Sequence, residues 1–454
     1  MFYNRAAGRG RASSRRSLLA GGVGAMGMLA LPGCAARQCT ARASGTSEGA
    51  GGARRTTEED KAISDALFAH VTDQSKAVAP ISSDERSARR ARLKQILGAL
   101  GGAALLVEPG PTMTHLTGVN WWRSERLLAL IVPAEGAHFW ICPAFEETRA
   151  RSLIDASDGP RGDVVTWQEH EYPYAALEAA LRERHVEKVL IEPQVRWIFA
   201  ERLGERLGRE RIASGHAAVI ALRAKKDAHE VALLRRANEL TQYAIVETAK
   251  TLTAGLTAGQ ISARVDRVHE KLGMKGPWSV VLIGAAAAQP HGQARDLRLA
   301  RGDVLLMDVG GGLHGYQSDI TRTFVFDGVP NADVERAWNA VRDAQRRAFD
   351  LARPNAPCRT IDAGARSVLS GLGFGTGYET FTHRLGHGIG LETHEDPYFD
   401  GGSDVLLEAG MTLTDEPGVY LPGRFGVRLE DVLVVTAAGA EHFGQWQTTP
   451  RWPG

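Results

Sequence analysis

"DVGGGLHGYQSDITRTF", residues 308–324, sets two carboxylates, Asp308 and Asp319, in an otherwise apolar and glycine-rich run. Burying both without partners would cost several kcal/mol each. One remedy is arginine, and Arg322 stands close by; the other is a metal ion. Gly315-Tyr316 precedes Asp319 as the start of a return strand, so a hairpin would bring both acids to one place.

Working outward, the second half of the chain repeats the anomaly. His387 lies in "HRLGHGIGLETHE", where glycines allow the backbone to approach a buried centre. Glu416 occurs in "TDEPGVY" and Glu430 in "VRLEDVLVV", both within strand-like apolar runs. Four carboxylates and one imidazole form a hard, oxygen-rich donor set, suited to Mn, Co, Fe or Zn rather than to a thiolate site. The set exceeds the needs of one tetrahedral zinc and matches two divalent ions, whose charge offsets the four acids. Such a pair can activate water and polarise a carbonyl. Paired arginines do not account for five such residues. The chain has no HExxH and no GxSxG, and "GFGTGYE" lacks the strand–turn–helix setting of a dinucleotide site.

The bulk properties place these residues in a folded, multidomain protein. The 454 residues are 43% hydrophobic and 24% charged, with a net charge of +1, enough chain for two or three domains. Residues 1–34 hold Arg5, Arg9, Arg11, Arg15 and Arg16 and no acid, so the remainder is mildly acidic and nothing points to nucleic acid. "SRRSLLAGGVGAMGMLALPGC", residues 14–34, has an apolar run too short for a comfortable membrane span and resembles a twin-arginine export signal. "LPGC" resembles a bacterial lipobox with Cys34 as the lipidated residue; cleavage near Ala36 or Ala43 would instead release a soluble protein. The expected location is the bacterial periplasm, free or lipid-anchored to the membrane. Cys34, Cys39, Cys142 and Cys358 show no CxxC pair and no disulfide framework.

Residues 35–81, small and polar at their start, read as a flexible linker. Across 82–216 the runs "AALLVEP", "RLLALIVP", "AHFWICP" and "KVLIEP" alternate with helical stretches, predicting a small α/β domain. From 217 to 454, a long amphipathic helix over "LRAKKDAHEVALLRRANELTQYAIVETAKTL" leads into strands "GDVLLMDVG", "TRTFVFDG", "MTLTDEPGVY" and "VRLEDVLVV". Two further helices, over 331–352 and 360–373, interrupt them, giving an α+β domain.

Asp308 and Asp319 eleven residues apart, then "HxxxHGxG", "EPG" and "RxED", resemble in order and spacing the pita-bread metallopeptidases. A preceding α/β domain is similar to the arrangement in the aminopeptidase P, prolidase and creatinase branch. The resemblance implies a pita-bread catalytic domain behind a smaller creatinase-like domain, and a homodimer. It implies two divalent ions, manganese first, with Asp308 on one, His387 and Glu416 on the other, and Asp319 and Glu430 bridging. His291, His383 and His394 match histidines near the leaving group, the proline side and the tetrahedral intermediate. Tyr420 and Arg428 match positions beside the site. Trp121 and Trp122 are candidates for an apolar wall of the substrate pocket. The activity implied is removal of an N-terminal residue ahead of proline in a peptide, with Glu416 as proton shuttle. An Xaa-Pro dipeptidase is the alternative, and a metal-free creatinase-like binding protein a remote one. Some prolidases carry an arginine between the last histidine and the EPG glutamate; this chain has none between His394 and Glu416, which favours the aminopeptidase reading.

Overall fold

Short apolar runs of the first domain assemble into one mixed sheet buried on both faces. The computed structural model describes residues 58–453 apart from 102, 159–161, 291 and 293–296. The export-signal region, Cys34 and Cys39 lie outside the described residues, as does His291. Strands β1 (Ala104–Val107), β2 (Ala129–Pro133), β3 (Phe139–Pro143), β4 (Asp163–Trp167), β5 (Val189–Ile191) and β6 (Ile212–Ser214) pair in the order β4-β3-β2-β1-β5-β6. Alternation explains why their sequences are apolar throughout. Leu105, Val107, Leu130 and Trp140 pack with Leu93 and Leu97 on one face, while Leu106, Ile131 and Ile141 pack with Leu177 and Phe199 on the other. β4 and β6, which the sequence reading did not single out, are the two edges, and their half-exposed residues carry a weaker apolar signal.

The segment read as linker is folded from Glu58 onward. Helix Glu58–Leu67 leads to Phe68 and Val71, which enter the second domain's core beside Val265, Val268 and Leu272. The Gln74 amide donates to the Leu272 carbonyl at 3.0 Å. Burial of Phe68 outweighs the polar composition that suggested a linker. The helix His216–Arg223 places Ala218 and Leu222 in the first domain's core. The long helix read from residue 222 begins at Ala228, because Asp227 caps it and exchanges hydrogen bonds with Glu230.

In the second domain, β7 (Lys275–Ile283), β8 (Val304–Leu313), β9 (Tyr316–Gln317) and β10 (Ile320–Val325) form one sheet. β11 (Gly386–Gly388), β12 (Glu395–Phe399), β13 (Thr412–Asp415), β16 (Asp431–Thr436) and β17 (Gly439–His442) form another. The ribbon β14 (Gly418–Leu421) with β15 (Phe425–Arg428) completes the set. Helices Ala228–Ala249 and Ala258–Lys271 cover the first sheet, and helices Ala332–Leu351 and Cys358–Gly371 pack with the second. This is the expected pita-bread domain behind an α/β domain. Among the described residues no helix is long and apolar enough to cross a membrane.

Candidate metal centre

Strand alternation aims the acids inward. β8 and β10 pair with Asp308 directly opposite Thr321. Leu305, Met307 and Val309 join the helical core, so Asp308 faces the other way. On β10, Ile320 and Phe324 enter the same core, leaving Asp319, Thr321 and Thr323 on Asp308's side. His387 sits in the middle of β11 between two glycines. A Cβ at Gly386 would lie 2.0 Å from the Thr414 carbonyl oxygen, and one at Gly388 2.5 Å from that of Glu395. Only side-chainless neighbours let the adjoining strands close on His387. Glu416 follows β13, where Pro417 interrupts the pairing, and Glu430 lies between β15 and β16, bridged to Thr321.

These elements converge on one centre. Ligand atoms of Asp308, Asp319 and Glu430 lie within 4.8 Å of one another, as do those of His387, Glu416 and Glu430 and those of Asp319, His387 and His394. Asp319, His387 and Glu430 thus each belong to two of these groups. His387 Nε2 is 3.3 Å from Glu416 Oε1 and 3.7 Å from Asp319 Oδ2. Burial and then His394 push the His387 imidazole down to about 3, so it is neutral. Its Nδ1 donates to the Gly388 carbonyl at 3.1 Å, leaving the Nε2 lone pair facing carboxylate oxygens. A divalent cation between them would be bound by the Nε2 lone pair and the carboxylate oxygens alike.

The carboxylates report the same shortage of positive charge. Asp319 is raised well above the usual range by burial, then by Glu430 and Asp308. Glu430 is raised by burial, Glu416 and Asp308, and burial pushes Glu416 up to about 8. Asp308 Oδ1 is buried without a hydrogen-bond partner. The guanidinium facing the cluster is Arg428, which donates through Nη2 to Asp308 and through Nη1 to the Tyr420 hydroxyl at 3.0 Å. Arg322, the neighbour in sequence, turns away to Asp431 at 2.6 Å. The donor set therefore fits divalent metal.

Around this centre, His383 Nε2 lies 2.8 Å from the Tyr420 hydroxyl, and its Nδ1 3.8 Å from Glu416 Oε2. The His394 ring packs on His387 with centroids 3.9 Å apart and borders a cavity of about 120 Å³ shared with Glu192, Gln194 and Arg223. Trp121 and Trp122 stack on each other at 4.9 Å, with Arg149 4.0 Å above Trp122. Trp121 packs in the first domain's core, and Trp122 is exposed.

Several polar residues were not anticipated. The Thr414 hydroxyl accepts the His387 amide at 3.0 Å and donates to Glu416 at 3.3 Å. The Thr321 hydroxyl donates to Glu430 Oε2 at 2.6 Å. Arg223 and Lys226 close on Glu395 at 2.6 Å each, beside His394. "DITRT" held a signal for Thr321, since alternation puts residues 319, 321 and 323 on one face; Glu395 had none, its partners being about 170 residues away.

Residues 89–225 match the creatinase/prolidase N-terminal domain and residues 232–437 match metallopeptidase family M24. The chain is 31% identical over 360 residues to the putative dipeptidase YkvY of Bacillus subtilis, covering 78% of this chain and 97% of that one. Its fold is similar to the crystal structure of dipeptidase PepE from Mycobacterium ulcerans, with a TM-score of 0.75, 31% identity, and coverage of 81% and 98% of the two chains. Prolidase from Thermococcus sibiricus follows at 0.71 and 29%, covering 80% and 98%. With the acidic centre in place and a relative this similar along nearly its whole length, the chain belongs to metallopeptidase family M24 and carries a creatinase/prolidase domain ahead of the catalytic one.

Proposed function

We propose that this metallopeptidase is an Xaa-Pro dipeptidase whose five residues Asp308, Asp319, His387, Glu416 and Glu430 hold two divalent ions. The observation carrying the two ions is the clustering of these ligand atoms within 4.8 Å in overlapping groups, of which Asp319, His387 and Glu430 each belong to two. When bound, such ions supply an activated water and polarise the scissile carbonyl. Glu416, held by Thr414, accepts a proton from the attacking water and returns it to the leaving nitrogen. His394, packed on His387, donates a hydrogen bond to the developing oxyanion. His383, paired with Tyr420, orients the prolyl side. The choice of dipeptides is supported by the names of the similar proteins, dipeptidase and prolidase.

The missing arginine between His394 and Glu416 favours the second reading, an aminopeptidase P acting on longer peptides. Hydrolysis of an Xaa-Pro dipeptide is to be compared with that of an Xaa-Pro-Xaa tripeptide, using enzyme reconstituted separately with Mn, Co, Zn and Fe. Turnover confined to the dipeptide is expected. Preferential cleavage of the tripeptide would replace this reading with the second.

A further inference from the structure

We infer that Thr321 is a positioning residue for the metal centre: its hydroxyl fixes the carboxylate of Glu430 and links it to Arg428. This rests on the reading of Glu430 as a metal ligand. The direction of each hydrogen bond follows from what the groups can do. A guanidinium only donates, so at 3.1 Å the Arg428 Nε–H must point at the Thr321 oxygen. The one hydroxyl proton of Thr321 is then free for Glu430 Oε2, 2.6 Å away. Oxygen to oxygen at that distance is a strong, charge-assisted bond to a carboxylate.

The consequence is a fork. Through Nη2, Arg428 holds Asp308 directly; through Nε and the Thr321 hydroxyl it holds Glu430 at one remove. One rigid guanidinium thereby sets the spacing of two acids that belong to the same ligand group. Thr323, two residues on and on the same face, pins the Arg428 backbone by donating to its carbonyl at 2.8 Å and accepting its amide at 3.2 Å. Thr321 is fully buried, so water cannot replace its hydroxyl at no cost. Because Glu430 is common to both acidic ligand groups, loosening it weakens the hold on both ions.

The test separates the hydroxyl from the shape of the side chain. Thr321→Val keeps the branched volume and removes the proton donor; Thr321→Ser keeps the donor and removes a methyl group. Both are prepared metal-free, checked for folding by circular dichroism, and titrated with Mn²⁺ by calorimetry. Retained metal after dialysis is counted by elemental analysis. The valine variant is expected to bind Mn²⁺ about 10–100-fold more weakly, as other supports of metal ligands do when removed, and the serine variant to bind close to wild type. Should the valine variant not fold, Thr321→Ala is read in the same way. Equal affinity of the valine variant and wild type would overturn the inference, and so would an equal loss in the valine and serine variants. A wild-type stoichiometry below two ions would overturn the two-ion reading instead, leaving Thr321 to stand or fall on the valine–serine difference.

Discussion

Glu430 has two neighbours that decide its behaviour: the Thr321 hydroxyl on one side and the other buried acids on the other. Removing Asp308 or Glu416 leaves one ion its remaining partners, whereas Glu430, like Asp319, belongs to two ligand groups. Glu430→Ala should therefore abolish stoichiometric metal binding and lower kcat by about a thousandfold or more, the several kcal/mol that metal polarisation supplies. Elemental analysis and Xaa-Pro hydrolysis measured on one preparation check this. Two retained ions with near-normal turnover would refute the ligand assignment. Arg428 illustrates how far a residue's role depends on its contacts. It was expected near the site, and its bonds run to Asp308, Thr321 and Tyr420.

At the scale of elements, the strand carrying Glu395 is tied to the junction between the domains. Arg223, at the end of helix His216–Arg223, and Lys226, in the turn that follows, both bond the Glu395 carboxylate. Arg223 also reaches Glu392 at 2.7 Å, and Gln194 of the first domain donates to the same Glu392. A second tie lies across the same junction, where Arg89 meets Asp227 at 3.1 Å and the buried Glu230 at 3.4 Å. Truncating Glu395 would leave the buried Lys226 without its carboxylate and Arg223 with Glu392 alone, so Glu395→Ala should cost about 3–5 kcal/mol of stability. Urea denaturation at neutral pH gives the value; a loss under about 1 kcal/mol, the worth of an exposed pair, would show that water already reaches the cluster.

For the whole molecule, the described residues begin at Glu58, beyond the arginine-rich start, and we propose that the protein leaves the cytoplasm by the twin-arginine route. That route moves proteins already folded, so the metals would be loaded before export. A site of four carboxylates selects weakly among divalent ions, which makes the metal present during folding decisive. Arg15→Lys combined with Arg16→Lys should hold an active, metal-loaded enzyme in the cytoplasm. Cell fractionation with an Xaa-Pro assay and elemental analysis tests this. Unchanged export would refute the signal, and export of an inactive, metal-free protein would refute the order of loading.

The amino-acid sequence by itself determined the acids and histidine of the candidate centre, their order and spacing, and the division into an α/β domain before an α+β domain. Those features are local, because a buried charge in an apolar strand and a glycine beside a histidine are anomalies visible within ten residues. Only the tertiary structure decided which arginine answers which acid, that Phe68 and Val71 turn a presumed linker into core, and that Trp121 packs inside its own domain. It also decided the supports, since Thr321 meets Glu430 across 109 residues and Glu395 meets Lys226 across 169. Such pairs are made when two strands or two domains come together, and no period in the chain encodes them. The chemistry of the centre is written in its residues, but its spacing is set by neighbours that only folding supplies.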